Sequence, residues 1–362
     1  MKHLLFIGTL NQPTSYFEGA NGDGLSVHLF DDETLTAERL ASAPQIVNPT
    51  FLSPTPDGSL VYANSEIEGW YEGLVTALSF DRRAARLDHL NMQPSLGATT
   101  AHNAISRDGR HLFVVNYAMG AGGPDQALVA FERRADGSLA PGRISAAQSG
   151  TGPNAARQER SHPHSVTEMA PNLLLVADLG TDRLTVYSLE DEQLEKISVT
   201  ATRPGAGPRH VALHPSGRFV FVINELDSTV ASYRIGVGGK SLEEIAVYPT
   251  VPDQAAAANH ASDLQISPDG RFLYGANRGH DSIAAFAVDA ETGRLSPMGQ
   301  VLCGGRTPRN LAIAPQGGHL LCANQDSDVV SIFARDAEAG SLVDTGKSIR
   351  IGTPMCLRFA RA

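Results

Sequence analysis

The chain of 362 residues is predicted to be an all-β propeller: seven four-stranded antiparallel blades in one domain, 1–362, closed by strands from both ends. Three observations predict it. One phrase recurs six times at a near-regular interval, each recurrence is followed by further strand-like runs, and the two chain ends hold complementary parts of a seventh unit. The 35 glycines and 21 prolines are spread along the whole sequence, as many short strands joined by turns require.

The chain starts with Lys2 and a seven-residue run, Leu4 to Leu10, which is interrupted by Gly8 and Thr9 and followed by Asn-Gln-Pro without a small-residue cleavage site, so it reads as a strand and not as a leader. The recurring phrase then appears as PTFLSPTPDGSLVYANSE from Pro49, AHNAISRDGRHLFVVNYAMG from Ala101 and PHSVTEMAPNLLLVADLG from Pro163. It returns as PRHVALHPSGRFVFVINE from Pro208, SDLQISPDGRFLYGANRGH from Ser262 and PRNLAIAPQGGHLLCANQ from Pro308. Most copies join a short alternating run, a turn such as Asp-Gly or Ser-Gly, and a β-branched or aromatic run ending near Asn or Asp, which describes a β-hairpin. The starts lie 52, 62, 45, 54 and 46 residues apart. A propeller blade occupies about 40 to 50, with longer intervals absorbed by loops.

A third strand follows each hairpin (VTALSF, ALVAFE, RLTVYSLE, TVASYRI, SIAAFAV and VVSIFA), and a fainter fourth lies beyond it. The seventh unit is split: PMCLRF from Pro354 supplies its first strand, and residues 3–8 and 24–30 its second and third. A ring closed this way hides most sheet edges. Paired β-sandwiches would also use short strands but give no reason for the recurrence. Trp70 is the sole tryptophan, so the Trp-Asp signature of one propeller class is missing.

The 39 acidic residues outnumber the 29 basic ones, and no Lys/Arg run offers a nucleic acid its phosphate-neutralising face. No apolar run approaches the roughly 18 to 20 residues of a membrane helix. Cys303, Cys322 and Cys356 are odd in number and widely spaced, which suits core thiols in a reducing cytoplasm better than a disulfide framework or zinc knuckle.

In a propeller blade the first strand lines the channel and the second runs antiparallel beside it, so the start of one and the end of the other share an edge. Strand-one starts supply His102, His162, His164, Arg209, His210, His260 and Arg309; strand-two ends supply Glu66, Asn116, Asp178, Glu225, Arg278, His280 and Gln325. All are expected at one mouth. Arginines there suit a carboxylate or phosphate, which they pair through two N–H donors. A carboxylate and an imidazole can move protons. The recurring Asn116, Asp178, Asn224, Asn277 and Asn324 are expected to cap turns.

At these residues the sequence resembles a known family. SHPHSV, GPRHVALHPSGRFVFVINELDSTV, SPDGRFLYGANRGHDSIAAF and PRNLAIAPQGGHLLCANQDSD look like the seven-bladed lactonases, which include bacterial 6-phosphogluconolactonases and fungal carboxy-cis,cis-muconate cyclases. The resemblance runs to about residue 358 and implies catalytic roles for His164, Arg209, Glu225 and Arg278. Arg309, His102, Asp178, Glu66 and His280 are expected to contact substrate. The first phrase departs at Ser65, where others have Asn or Asp, and AMGAGG after Tyr117 has no match.

The implied activity is opening of a sugar-acid lactone, 6-phosphoglucono-δ-lactone, by water, with Glu225 as base, His164 assisting the oxyanion or leaving oxygen, and Arg209 and Arg278 binding anionic groups. A muconate-type cycloisomerase and a non-catalytic binding platform are the alternatives. No cofactor is expected: GAGG at 120–123 precedes Pro124 and a strand, not a helix, and no G-x-S-x-G elbow occurs. Glu66, Asn116 and Asp178 are the oxygens a divalent cation would use, but the neighbouring arginines oppose one and no metal is expected.

Overall fold

The recurring hairpins form as expected. In the computed structural model, which describes residues 1–67, 69–118 and 123–361, 28 strands make seven four-stranded antiparallel sheets in a ring. Blades are numbered 1 to 6 from the six phrases and 7 for the one closed by both chain ends. In blade 7, Pro354–Arg361 pairs with Lys2–Thr9, which continues to Leu25–Asp31 and Thr36–Ala43. The last strand of the chain is therefore the inner strand of a blade begun by the first.

Side-chain alternation along each strand builds the seams between blades. In blade 4, Phe219, Phe221 and Ile223 face Leu264, Leu273 and Phe286 of blade 5. Val220 and Val222, the intervening residues, face Leu175, Ala177 and Leu184 of blade 3. Among the described residues, seven such apolar clusters each join two adjacent blades. The three cysteines are buried. Among the described residues no helix is long and apolar enough to cross a membrane.

The two ends of each hairpin differ. At one face the turns satisfy themselves: the carboxylates of Asp57, Asp108 and Asp269 accept the backbone N–H of Ser59, Arg110 and Arg271. Gly270 in the last of these sits at φ +76°, and an added Cβ would lie 2.7 Å from His214 Nε2.

At the other face the inner strand starts with a bulge. Pro163 and Ser165 pair with consecutive residues Asp178 and Ala177, leaving His164 unpaired. The same skip leaves Arg209 between Pro208 and His210, and Arg309 between Pro308 and Asn310. Ala101 in blade 2 and Met355 in blade 7 hold the matching place. A bulge re-aims a side chain that regular pairing would send into a seam.

Candidate active site

The bulge residues open onto a cavity of about 570 Å³ at this mouth. Its wall includes Thr50, Ala101, His164, Arg209, Arg309 and Met355 from inner strands, and Glu66, Tyr117, Glu225 and Arg278 from the ends of second strands. Tyr16 and Arg157 reach it from connections.

Glu225 is the hub. Its Oε2 accepts from Arg209 Nε at 2.9 Å and lies 2.8 Å from Arg278 Nη2, while Oε1 accepts from Arg157 Nη2 at 2.5 Å. Burial alone would raise its pKa, but Arg278, Arg209 and Arg157 outweigh that and hold the carboxyl well below its usual range. Arg209 also donates to the Ser262 carbonyl, and Arg278 to those of His260 and Ala261. Burial, followed by repulsion from Arg278, lowers Arg209 to about 9, still a cation at neutral pH. Arg157 has no such backbone anchor among the described residues and leaves 35% of its side chain exposed, against 3% for Arg209 and 16% for Arg278.

His164 stands beside this cluster with its ring edge-on to Tyr117 at 5.5 Å and to His210 at 5.3 Å. Burial and then the Arg209 charge push it well below the usual imidazole range, so it is neutral at pH 7. Its Nδ1 is buried without a hydrogen-bond partner. His210 is fixed differently: Nε2 accepts from Arg209 Nη1 at 3.2 Å, which leaves Nδ1–H to donate to Asp263 Oδ1 at 2.7 Å. Burial and Arg209 bring His210 to about 4. Asp263, which burial would raise, is held at about 2 by His210, Arg358 and the Leu311 N–H.

On the far side of the cavity, the Tyr16 hydroxyl donates to Glu66 Oε1 at 2.8 Å, and the Arg309 guanidinium lies 5.2 Å from the centre of the Tyr16 ring. Arg309 makes no hydrogen bond or ion pair with a described residue.

The structure thus gathers His164, Arg209, Glu225, Arg278, Arg309 and Glu66 around one cavity. Three expected contacts fall elsewhere. Asp178 aligns with Asn224, one residue before the Glu225 position, and strand alternation turns it inward. There it accepts from Ser161 Oγ and from the N–H groups of His162, Gly180 and Thr181, which makes it a turn-organising carboxylate. His280, beyond Gly279, bonds the Ser282 hydroxyl and lies off the cavity wall. His102 lies tilted against the wall residue Phe51, 3.8 Å between ring centres, and is itself off the wall. Asn116 turns away too, donating to the carbonyls of Ser95 and Gln126, so it does not join Glu66 as a cation ligand. Residues 119–122 of the AMGAGG loop lie outside the described residues.

Sequence reasoning passed over Tyr117, Arg157, Tyr16 and Asp263. Tyr117 was accessible, since it follows Asn116 as Glu225 follows Asn224. His162 fixes it in place by stacking on its ring at 4.4 Å and bonding its carbonyl. Arg157 belongs to the connection that makes the interval between the second and third phrases the longest, at 62 residues.

Residues 5–359 match the family model described as Lactonase, 7-bladed beta-propeller. The 6-phosphogluconolactonase of Bacillus subtilis is 30% identical over 311 residues, covering 85% of this chain and 84% of its own. That of Formosa agariphila is 34% identical over 300 residues, covering 80% and 82%. Among solved structures, the periplasmic gluconolactonase PpgL of Pseudomonas aeruginosa superposes with a TM-score of 0.89 at 30% identity, covering 99% of each chain. A match over nearly the whole ring shows that the chain belongs to the seven-bladed β-propeller lactonase family.

Proposed function

We propose that this protein is a lactonase that hydrolyses a sugar-acid lactone, 6-phosphoglucono-δ-lactone, to the open-chain acid. The observation that carries the reading is a neutral imidazole, His164, whose Nδ1 has no hydrogen-bond partner among the described residues, beside guanidiniums gathered on one carboxylate, in a cavity of a size that takes small ligands. The names of the relatives support the lactone class.

His164 takes the role of proton acceptor. Glu225 was the expected base, but both its oxygens are engaged and three guanidiniums lower its proton affinity. His164 has a free lone pair and is uncharged at neutral pH. The oxygen of a water bonds to the lactone carbonyl carbon as its proton passes to His164. The carbonyl oxygen becomes an oxyanion, stabilised by Arg209 and Arg278. When the tetrahedral intermediate collapses, the bond from carbon to ring oxygen breaks and the imidazolium returns its proton to that oxygen. The new carboxylic acid then releases a proton to solvent. Glu225 is the counter-ion that keeps the guanidiniums in position.

The test is ring opening followed by NMR, with the spontaneous rate subtracted. Acceleration is expected with the wild-type protein. Replacing His164 with Asn is expected to lower kcat by about 10²- to 10⁴-fold, the usual contribution of a positioned acid–base group. Absence of acceleration on phosphorylated and unphosphorylated gluconolactone alike overturns the reading.

A further inference from the structure

We propose that Arg309, laid against the ring of Tyr16, is the receptor for the substrate's phosphate and sets the preference between a phosphorylated sugar lactone and its uncharged counterpart. This rests on the lactonase reading. Two relatives' names, 6-phosphogluconolactonase and gluconolactonase, differ by this one group.

The four guanidiniums of the cavity are not equivalent. Arg157, Arg209 and Arg278 all spend their charge on Glu225, and the last two are tied to backbone carbonyls as well. Arg309 shares the cavity but not the carboxylate. The acid opposite it, Glu66, is already taken by the Tyr16 hydroxyl at 2.8 Å. The donors of Arg309 have no hydrogen-bond acceptor among the described residues, though the charges of Glu66 and Glu225 reach it. Yet its backbone is fixed at the bulge between Pro308 and Asn310, and its guanidinium lies over the Tyr16 ring, 5.2 Å from the ring centre. A guanidinium held this way offers paired N–H groups in the geometry that two phosphate oxygens accept, at little ordering cost on binding.

Tyr16 thus acts twice, donating to Glu66 and providing the surface over which Arg309 lies. It comes from the connection between Lys2–Thr9 and Leu25–Asp31, whereas Arg309 stands on an inner strand. The receptor is completed only when blade 7 closes the ring beside blade 6.

The experiment measures kcat/KM on 6-phosphoglucono-δ-lactone and on glucono-δ-lactone for the wild-type protein, Arg309→Gln and Arg309→Lys, with inorganic phosphate as inhibitor. Arg309→Gln is expected to lower the ratio of the two kcat/KM values at least tenfold, mainly through KM for the phosphorylated substrate, and to weaken phosphate inhibition by a similar factor. Arg309→Lys is expected to recover part of the ratio, since it restores charge without the fork. If both substrates lose equally, or the ratio is unchanged, the proposal is wrong. If the wild-type protein opens neither lactone, the lactonase reading fails separately, and calorimetry with inorganic phosphate decides the receptor. Binding lost in Arg309→Gln upholds it; no binding to the wild-type protein overturns it.

Discussion

At the bulged start of the inner strand, blades 3, 4 and 6 carry His164, Arg209 and Arg309, whereas blades 2 and 7 carry Ala101 and Met355. Blade 1 holds Thr50 after Pro49, in step with these. The backbone offers the same bulged place in blades 2, 3, 4, 6 and 7, and every one of these side chains, Thr50 included, lines the cavity. At these positions one arc is thus imidazole and guanidinium, the other small or apolar. The difference teaches that the repeat supplies positions and the side chains divide them: one arc gathers charged and imidazole groups, and the other keeps small or apolar ones. Concentrating the cations on one arc requires a counter-ion, and Glu225 meets that need.

Glu225→Gln breaks this comparison most severely. It leaves three guanidiniums, two of them well buried, without their carboxylate. Removing one partner of a buried ion pair costs about 3–5 kcal/mol. A marked fall in thermal midpoint is expected, together with loss of activity, and calorimetry beside kinetics checks both. A variant as stable as the wild-type protein would show that the arginines need no hub.

A smaller effect separates the arcs by pH. His210 has a folded-state pKa of about 4, below its ordinary 6.5, so the unfolded chain takes up the proton first on acidification. Its contribution to stability is complete above about pH 6.5 and is lost as pH falls toward 4. Asp263, at about 2 instead of 3.8, adds a loss between those values. The thermal midpoint should therefore decline below pH 6.5, and His210→Gln should flatten that decline by the share of one proton. An unaltered slope in the variant would contradict the assignment.

The smallest effect belongs to the quiet arc. Ala101→Val narrows the cavity without touching a charge, so KM is expected to rise several-fold with kcat kept. A fall in kcat as large as that of a charged-arc variant would dissolve the distinction between the arcs.

The ring and the charged arc were legible because both follow from the repeat. The hairpin phrase fixes where strands begin, and the residue after each strand-start proline identifies His164, Arg209 and Arg309. The error at Asp178 came from treating all strand-two ends as one edge, when alternation sends neighbours to opposite faces; in blade 3 the place of Glu225 is held by Leu179. His280 was misplaced for a related reason, lying past a glycine that ends the strand. Tyr16 and Arg157 lie in connections, which carry no periodic signal. The weak basicity of Glu225 comes from three residues far apart in sequence meeting at one carboxylate. No local pattern encodes such a meeting.

In the proposed reaction the imidazole on the charged arc accepts the proton of water while Glu225 serves as counter-ion. The most direct test of these roles is the pH dependence of kcat/KM for 6-phosphoglucono-δ-lactone opening in the wild-type protein and in His164→Asn. Both groups are depressed in proton affinity, so the wild-type rate is expected to hold its plateau well below pH 6.5, and His164→Asn to lose that plateau by at least a hundredfold while remaining folded. A folded His164→Asn protein that keeps the wild-type rate across the same range would contradict the account.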